Sequence, residues 1–203
     1  VLRWLCCLCC LLICTGKVCG QKQVGIEQYY FTGQPGSTSV VPMVYYQGAK
    51  GWFGTVRYNY EDDASLSVHG GKTFSRSGAV SLELTPMAGV LLGRSTGLVA
   101  SGRFTASWRS LELSSEPQYL WSADGRAHQF FYNWTELSCQ PLPAFYTGLA
   151  LQHTRMPGVP SLTEPGILLG FSAGSFEFPL YCFNPLRSSQ YFVLGVHWSW
   201  QKG

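Results

Sequence analysis

The stretch Leu98-Val99-Ala100-Ser101-Gly102-Arg103-Phe104-Thr105-Ala106-Ser107-Trp108 decides how the chain is read. Leu98, Ala100, Gly102, Phe104, Ala106 and Trp108 take every second place, and Val99, Ser101, Arg103, Thr105 and Ser107 take the others. Side chains of a strand leave alternately to its two faces, so this period of two predicts a β-strand. The apolar face carries no charge, whereas the polar face carries an arginine at mid-strand. A soluble barrel packs its apolar face inward. The sense here is inverted, as in a barrel whose outside meets lipid and whose inside meets water.

Working outward from that stretch, the same alternation recurs beyond residue 20, broken by Gly, Asp, Ser and Pro. It predicts strands at Val24–Thr32, Thr38–Gln47, Trp52–Tyr60, Ser65–Phe74, Ala79–Leu92, Gly97–Trp108, Leu111–Trp121, Gln129–Leu137, Ala144–Thr154, Ile167–Ala173, Phe176–Phe183 and Gln190–Trp200. A tilted strand needs roughly 9–11 residues to cross hydrocarbon, and most of these have that length. The tenth and eleventh are short; merged, they would leave ten strands rather than twelve. No sustained 3.6-residue period suggests a helix. The expected fold is therefore all-β: a transmembrane antiparallel up-and-down barrel of about twelve strands.

Connections test that reading independently, because bacterial barrels have short turns on the side of the termini and longer loops on the other. An even count puts 48–51, 75–78, 109–110, 138–143 and 174–175 on the terminal side. It puts 33–37, 61–64, 93–96, 122–128, 155–166 and 184–189 on the far side, including the longest connection. Composition agrees: 12% of residues are charged, 15% are aromatic and 23 are Gly, too few charges for an ordinary soluble surface.

Residues 1–20 read as a secretory signal: Arg3 is the positive n-region, and Trp4, Leu5, the Cys pairs, Leu11, Leu12 and Ile13 form the apolar h-region. Val18-Cys19-Gly20 supplies small residues for cleavage, leaving 21–203 as a single barrel domain. A lipoprotein signal acylated at Cys19 and a retained anchor are the rival readings. Removing the segment takes six of the eight cysteines with it and leaves 12 Lys plus Arg against 11 acidic residues. That balance gives no electrostatic case for nucleic acid. Cys139 and Cys182 remain, and sequence leaves their pairing open. No metal site and no cofactor are expected.

On the outward face, Val80, Leu82 and Leu84, Leu111 and Leu113, and Phe192, Leu194, Val196, Trp198 and Trp200 present no charge. Aromatic residues gather near strand ends: Tyr29 to Phe31, Tyr45 and Tyr46, Trp52 and Phe53, Trp108, Tyr119 and Trp121. With Trp198 and Trp200, the residues Trp52, Trp108, Tyr119 and Trp121 are expected to form an aromatic girdle at the headgroups. The inward face is expected to hold a charged lumen cluster of Arg57, Glu83, Arg103, Glu112, Glu116 and Glu136. Two readings of it stay open. It forms a polar core holding the barrel together, or it lines a constricted channel whose mixed charges balance and set selectivity.

Two resemblances follow from these residues. Phe192-Val193-Leu194-Gly195-Val196-His197-Trp198-Ser199-Trp200 resembles the last strand of Gram-negative outer-membrane barrels, which usually ends in an aromatic residue read by the barrel-assembly machinery; here Gln201, Lys202 and Gly203 follow it. Tyr132-Asn133-Trp134-Thr135-Glu136-Leu137, Gly148 to Arg155, Tyr181-Cys182-Phe183-Asn184-Pro185, Leu82 to Pro86 and Ser115 to Tyr119 resemble a group of Gram-negative outer-membrane β-barrel proteins, small porin-like barrels. The resemblance implies a bacterial outer-membrane location, with lipid, lipopolysaccharide and the assembly machinery as partners. It carries no activity.

A barrel enzyme acting on lipid or lipopolysaccharide would need a nucleophile beside a rim-facing histidine. His69, His153 and His197 are the candidates, but no GxSxG or HExxH motif accompanies them. Glu61-Asp62-Asp63 is read as a solvated hairpin tip, and Asn133-Trp134-Thr135 as a strand segment rather than a glycosylation site. The leading expectation is a narrow passive pore or a structural, partner-binding envelope protein. The alternatives are the barrel enzyme and a secreted soluble β-barrel, which predicts that Phe192, Leu194, Val196 and Trp198 point inward.

Overall fold

A computed structural model describes residues 22–33 and 39–202. The expected signal segment lies outside the described residues. Thirteen strand segments follow in order: β1 (Lys22–Thr32), β2 (Ser39–Gln47), β3 (Trp52–Tyr58), β4 (Ser65–Lys72), β5 (Phe74–Arg76), β6 (Ser81–Gly93), β7 (Gly97–Trp108), β8 (Leu111–Ser122), β9 (Phe130–Leu142), β10 (Phe145–Arg155), β11 (Leu162–Ala173), β12 (Phe176–Phe183) and β13 (Tyr191–Lys202). Each pairs antiparallel with its neighbour, and β1 pairs with β13 from Lys22↔Lys202 to Thr32↔Phe192. That seam closes the sheet.

β4 and β5 are two parts of one crossing. Both pair with β6 in a common register, from Gly71↔Met87 to Phe74↔Leu84. The gap falls where Pro86 faces the chain, because proline has no N–H to give the ladder. Thr73 instead donates its backbone N–H to the Gly51 carbonyl, and its hydroxyl bonds to Gln47 and Thr85. The barrel therefore has twelve crossings, and the short tenth and eleventh expected strands do not merge. β11 starts at Leu162, earlier than the expected Ile167, so the connection from β10 shortens to 156–161.

The registers fix which side chains share a face. Leu98, Leu149 and Trp52 point outward and are 62%, 61% and 63% exposed, whereas Val99, Leu168 and Phe53 beside them in the pleat are buried inside. Phe192, Leu194 and Trp200 are outward, which overturns the soluble-barrel alternative. An outer wall this apolar is matched to hydrocarbon. It is interrupted at mid-height by Ser115, Asn133 and Thr135, which saturate one another at 2.9–3.1 Å. Cys139 and Cys182 are free thiols on the outer faces of β9 and β12.

The inner wall is shaped by glycines set opposite rings. Gly25 faces Tyr45, Gly170 faces Tyr146 and Gly166 faces Phe183 across their ladders. At each of these glycines an added Cβ would overlap the ring. Removing the side chain on one strand lets the ring opposite lie flat against the wall. Gly170→Leu should therefore destabilise the barrel by about 1–3 kcal/mol through overpacking. The outward Gly54, with nothing nearer than 3.8 Å to an added Cβ, should accept Ala within about 0.5 kcal/mol. Urea midpoints of the protein folded in detergent, followed by heat-modifiable gel migration, measure both.

Candidate functional site: the lumen

β3, β7 and β8 send Arg57, Arg103 and Glu116 inward, because each occupies the pleat position opposite an apolar outward residue. Arg57 forms an ion pair with Glu116, and Arg103 reaches the same carboxylate at 4.0 Å. Arg57 is 2% exposed, so a lone guanidinium there would lack both water and a counter-charge. A second acid meets it from the far-side turn 59–64, since Glu61 lies 3.9 Å from Arg57 and its side chain is fully buried.

Glu61 corrects the expectation of a solvated acidic tip. Asn59 and Ala64 both take positive φ, 58° and 52°, and Asn59 Oδ1 accepts the Ala64 N–H at 2.7 Å. These left-handed residues fold the turn over the lumen, placing Tyr60 4.7 Å from the Arg57 guanidinium and edge-on to Tyr132. Burial, and next the Glu116 carboxylate, hold the Tyr60 phenol well above its ordinary pKa. Asp62 and Asp63 stay toward solvent, with Asp62 accepting from Ser95 and Asp63 lying 3.9 Å from Arg94.

Glu61 also lies 3.3 Å from His69 Nε2, while His69 Nδ1 is 2.9 Å from Ser101 Oγ. A hydroxyl, an imidazole and a carboxylate thus stand in line, the ingredients of nucleophilic catalysis. His69 is 2% exposed, Ser101 is half-buried, and none of the three lines either lumen cavity. On the outer face, His153 Nδ1 meets Thr163 Oγ1 at 2.8 Å with no carboxylate bonded to the ring. Among the described residues no three His, Cys, Asp or Glu are placed to hold a metal ion.

Of the six residues expected in the charged cluster, Arg57, Arg103 and Glu116 are joined, while Glu83, Glu112 and Glu136 face the lumen outside the network. Glu83 lies two residues nearer the terminal side than the Thr85 that faces Arg103 across the ladder. Glu112 is hydrogen-bonded by Ser107 at 3.0 Å, and Glu136 accepts from Trp134 Nε1 at 2.5 Å and Tyr181 Oη at 2.8 Å. Sequence reading missed Glu27 and Glu177. Both face the lumen and are register partners of His197, one on each side. The inward charges therefore do not balance. Alternation was the available signal for Glu27, which falls between outward Ile26 and Gln28.

The girdle residues Trp52, Trp108, Trp198 and Trp200 lie outward at the terminal ends of their strands, and Tyr119 and Trp121 outward toward the far side. Tyr119 and Trp121 pack with tilted rings 4.7 Å apart, and Lys72 and Arg109 lie 5.7 and 5.0 Å from the Trp52 and Trp108 rings. Neighbouring aromatics split between the faces: Tyr30, Tyr46 and Trp52 go out, whereas Tyr29, Phe31, Tyr45 and Phe53 go in. The inward rings make a wall in which Trp134 packs edge-on against Tyr181 and Phe183 and reaches Tyr29 at 6.1 Å. Trp134 and Tyr29 stand on strands five places apart around the barrel, so the contact crosses the lumen.

Beside that crossing and the Arg57–Glu116 pair runs a cavity of about 570 Å³. It is lined from Gln23 and Ser199 near the termini to Asn59 and Asp63 at the far end. A second, of about 800 Å³, occupies the terminal mouth and shares Glu112, Glu136, Glu177, Tyr181 and His197 with the first.

With this geometry the chain is similar to small porins of known structure. The KdgM porin in complex with disordered oligogalacturonate aligns with a TM-score of 0.63 and 11% identity, over 88% of this chain and 99% of that one. The NanC porin aligns with a TM-score of 0.55 and 8% identity, over 89% and 100%. The barrel has the small outer-membrane porin fold. No protein-family model and no curated protein sequence matches the chain.

Removing Arg57 should expose what the network holds. Arg57→Met would leave Glu61 and Glu116 without their shared guanidinium and should cost about 3–5 kcal/mol. Glu83→Gln, outside the network, should stay within about 0.5 kcal/mol. Equal denaturant midpoints for the two variants would remove Arg57 from that role.

Proposed function

We propose that the chain is an integral outer-membrane protein acting as a narrow passive pore for small polar solutes, a channel rather than an enzyme. The observation that carries this reading is the cavity lined from one mouth of the barrel to the other, polar inside a wall that is apolar outside. Polar lining replaces part of a solute's hydration while the apolar exterior keeps the wall in the bilayer. The likeness to porins supports the architecture; at 11% and 8% identity it assigns no solute. On this reading residues 1–20 direct export, the assembly machinery inserts the chain, and lipid and lipopolysaccharide surround it.

The bore is set by side chains crossing it, so shortening one should widen it. Arg103 stands between Glu116 and the rings of Tyr45 and Phe53, 5.6 and 5.2 Å from its guanidinium. In planar bilayers the wild type should give discrete single-channel steps, and Arg103→Ala larger ones. Absence of current across repeated reconstitutions of heat-modifiable, folded protein would overturn the pore. Unchanged step size in Arg103→Ala would take Arg103 out of the constriction.

A further inference from the structure

We infer that this lumen selects cations, and that its middle binds a small organic cation: an ammonium group carried on a hydroxylated, sugar-sized body. The inference rests on the pore reading and adds the class of solute. Its basis is an asymmetry of charge. Arg57 and Arg103, the arginines on the inward faces of the strands, share Glu116, and Arg57 also has Glu61; Arg109 lines only the terminal mouth, 5.0 Å from the Trp108 ring. Glu27, Glu83, Glu112, Glu136 and Glu177 have no ion-pair partner among the described residues. They occupy the lumen face from the middle of the strands to their terminal ends. The carboxylates outnumber the cations left to neutralise them. A charged cleft with low-dielectric walls concentrates ions of the opposite sign.

A second observation places a ligand beside them. Gln152 is 6% exposed, lines the cavity and has a side-chain nitrogen with no hydrogen-bond partner. It stands directly across the ladder from Trp134, whose indole N–H fixes Glu136. Nε2 of His197, between Glu27 and Glu177, is likewise buried and unpartnered. The two hydrogen bonds to Glu136 come from neutral donors and both fall on Oε1, so they orient the carboxylate without cancelling its charge.

These groups divide the ligand's chemistry among them. An ammonium pairs with carboxylate oxygens and lies favourably against Trp134 and Tyr29, since the faces of aromatic rings attract cations. Gln152 supplies a donor for a hydroxyl oxygen, and the ring wall packs against the apolar side of a sugar. A dry organic cation without hydroxyls would leave Gln152 unanswered. A polyanion would meet the carboxylates with like charge.

The test uses the full-length protein in planar bilayers, with a KCl gradient and then with glucosamine and N-acetylglucosamine as probes. The two sugars share a ring, but the second has no charge at neutral pH. Wild type should pass K⁺ over Cl⁻ by on the order of tenfold. The Glu27→Gln/Glu177→Gln double variant should lose most of that preference, and glucosamine should interrupt the current for longer than N-acetylglucosamine does. Equal permeabilities, a preference for Cl⁻, or equal interruptions by the two sugars overturn the inference while leaving the pore intact. If no current flows, the pore reading fails, and tryptophan fluorescence of the detergent-folded protein decides the site. Saturable quenching by glucosamine that Trp134→Phe abolishes supports it. Quenching that is absent, or equal for both sugars, overturns it.

Discussion

Hydrocarbon offers no partner to a backbone N–H or C=O, and the rest of this structure depends on that constraint. A sheet in such a medium has to close, and here β1 meets β13 along their whole length. Closure at twelve crossings leaves an interior narrow enough for side chains on strands far apart around the wall to touch. Arg57 reaches Glu116 and Trp134 reaches Tyr29 for that reason. The interruption at Pro86, which splits one crossing into β4 and β5, is answered locally by Thr73, which finds its partners in a turn and two side chains.

What sequence made legible was local. A period of two is carried by adjacent residues, so strands such as Gly97–Trp108 and Leu111–Trp121 and the faces of Arg57, Arg103 and Glu116 could be read directly. The same rule splits Tyr29 from Tyr30 and Tyr45 from Tyr46, and reading such pairs as parts of one girdle overlooked it. Contacts across the lumen were not legible, because Arg57 and Glu116 lie 59 residues apart and only closure brings them together. Nor was the inward turn, since two left-handed residues at Asn59 and Ala64 leave no periodic trace. Glu61 therefore read as a surface acid when its side chain is fully buried.

The lumen is electrically uneven along its length. Around Arg57 the charges are neutralised by contact, with Glu116, Glu61 and the Tyr60 ring packed about one guanidinium. A buried knot of this kind contributes a defined geometry more than net stability. Toward the terminal mouth the carboxyl groups are held by neutral donors such as Ser107, Trp134 and Tyr181, which set their positions without supplying a counter-charge. One part of the wall is thus fixed by ion pairing and the other by hydrogen bonds from neutral groups to carboxyls that have no cationic partner. Polar residues drawn from the same alternating pattern serve both.

The glycines opposite Tyr45, Tyr146 and Phe183 have a consequence for how such a barrel changes over generations. The space left inside the wall depends on the missing side chain across the ladder as much as on the ring itself. A single methyl acquired at Gly25 or Gly170 would tip the facing phenol off the wall and into the lumen. The width of the lumen is therefore adjustable by mutations at positions that lie behind the rings, leaving strand number, exterior and charged residues unaltered.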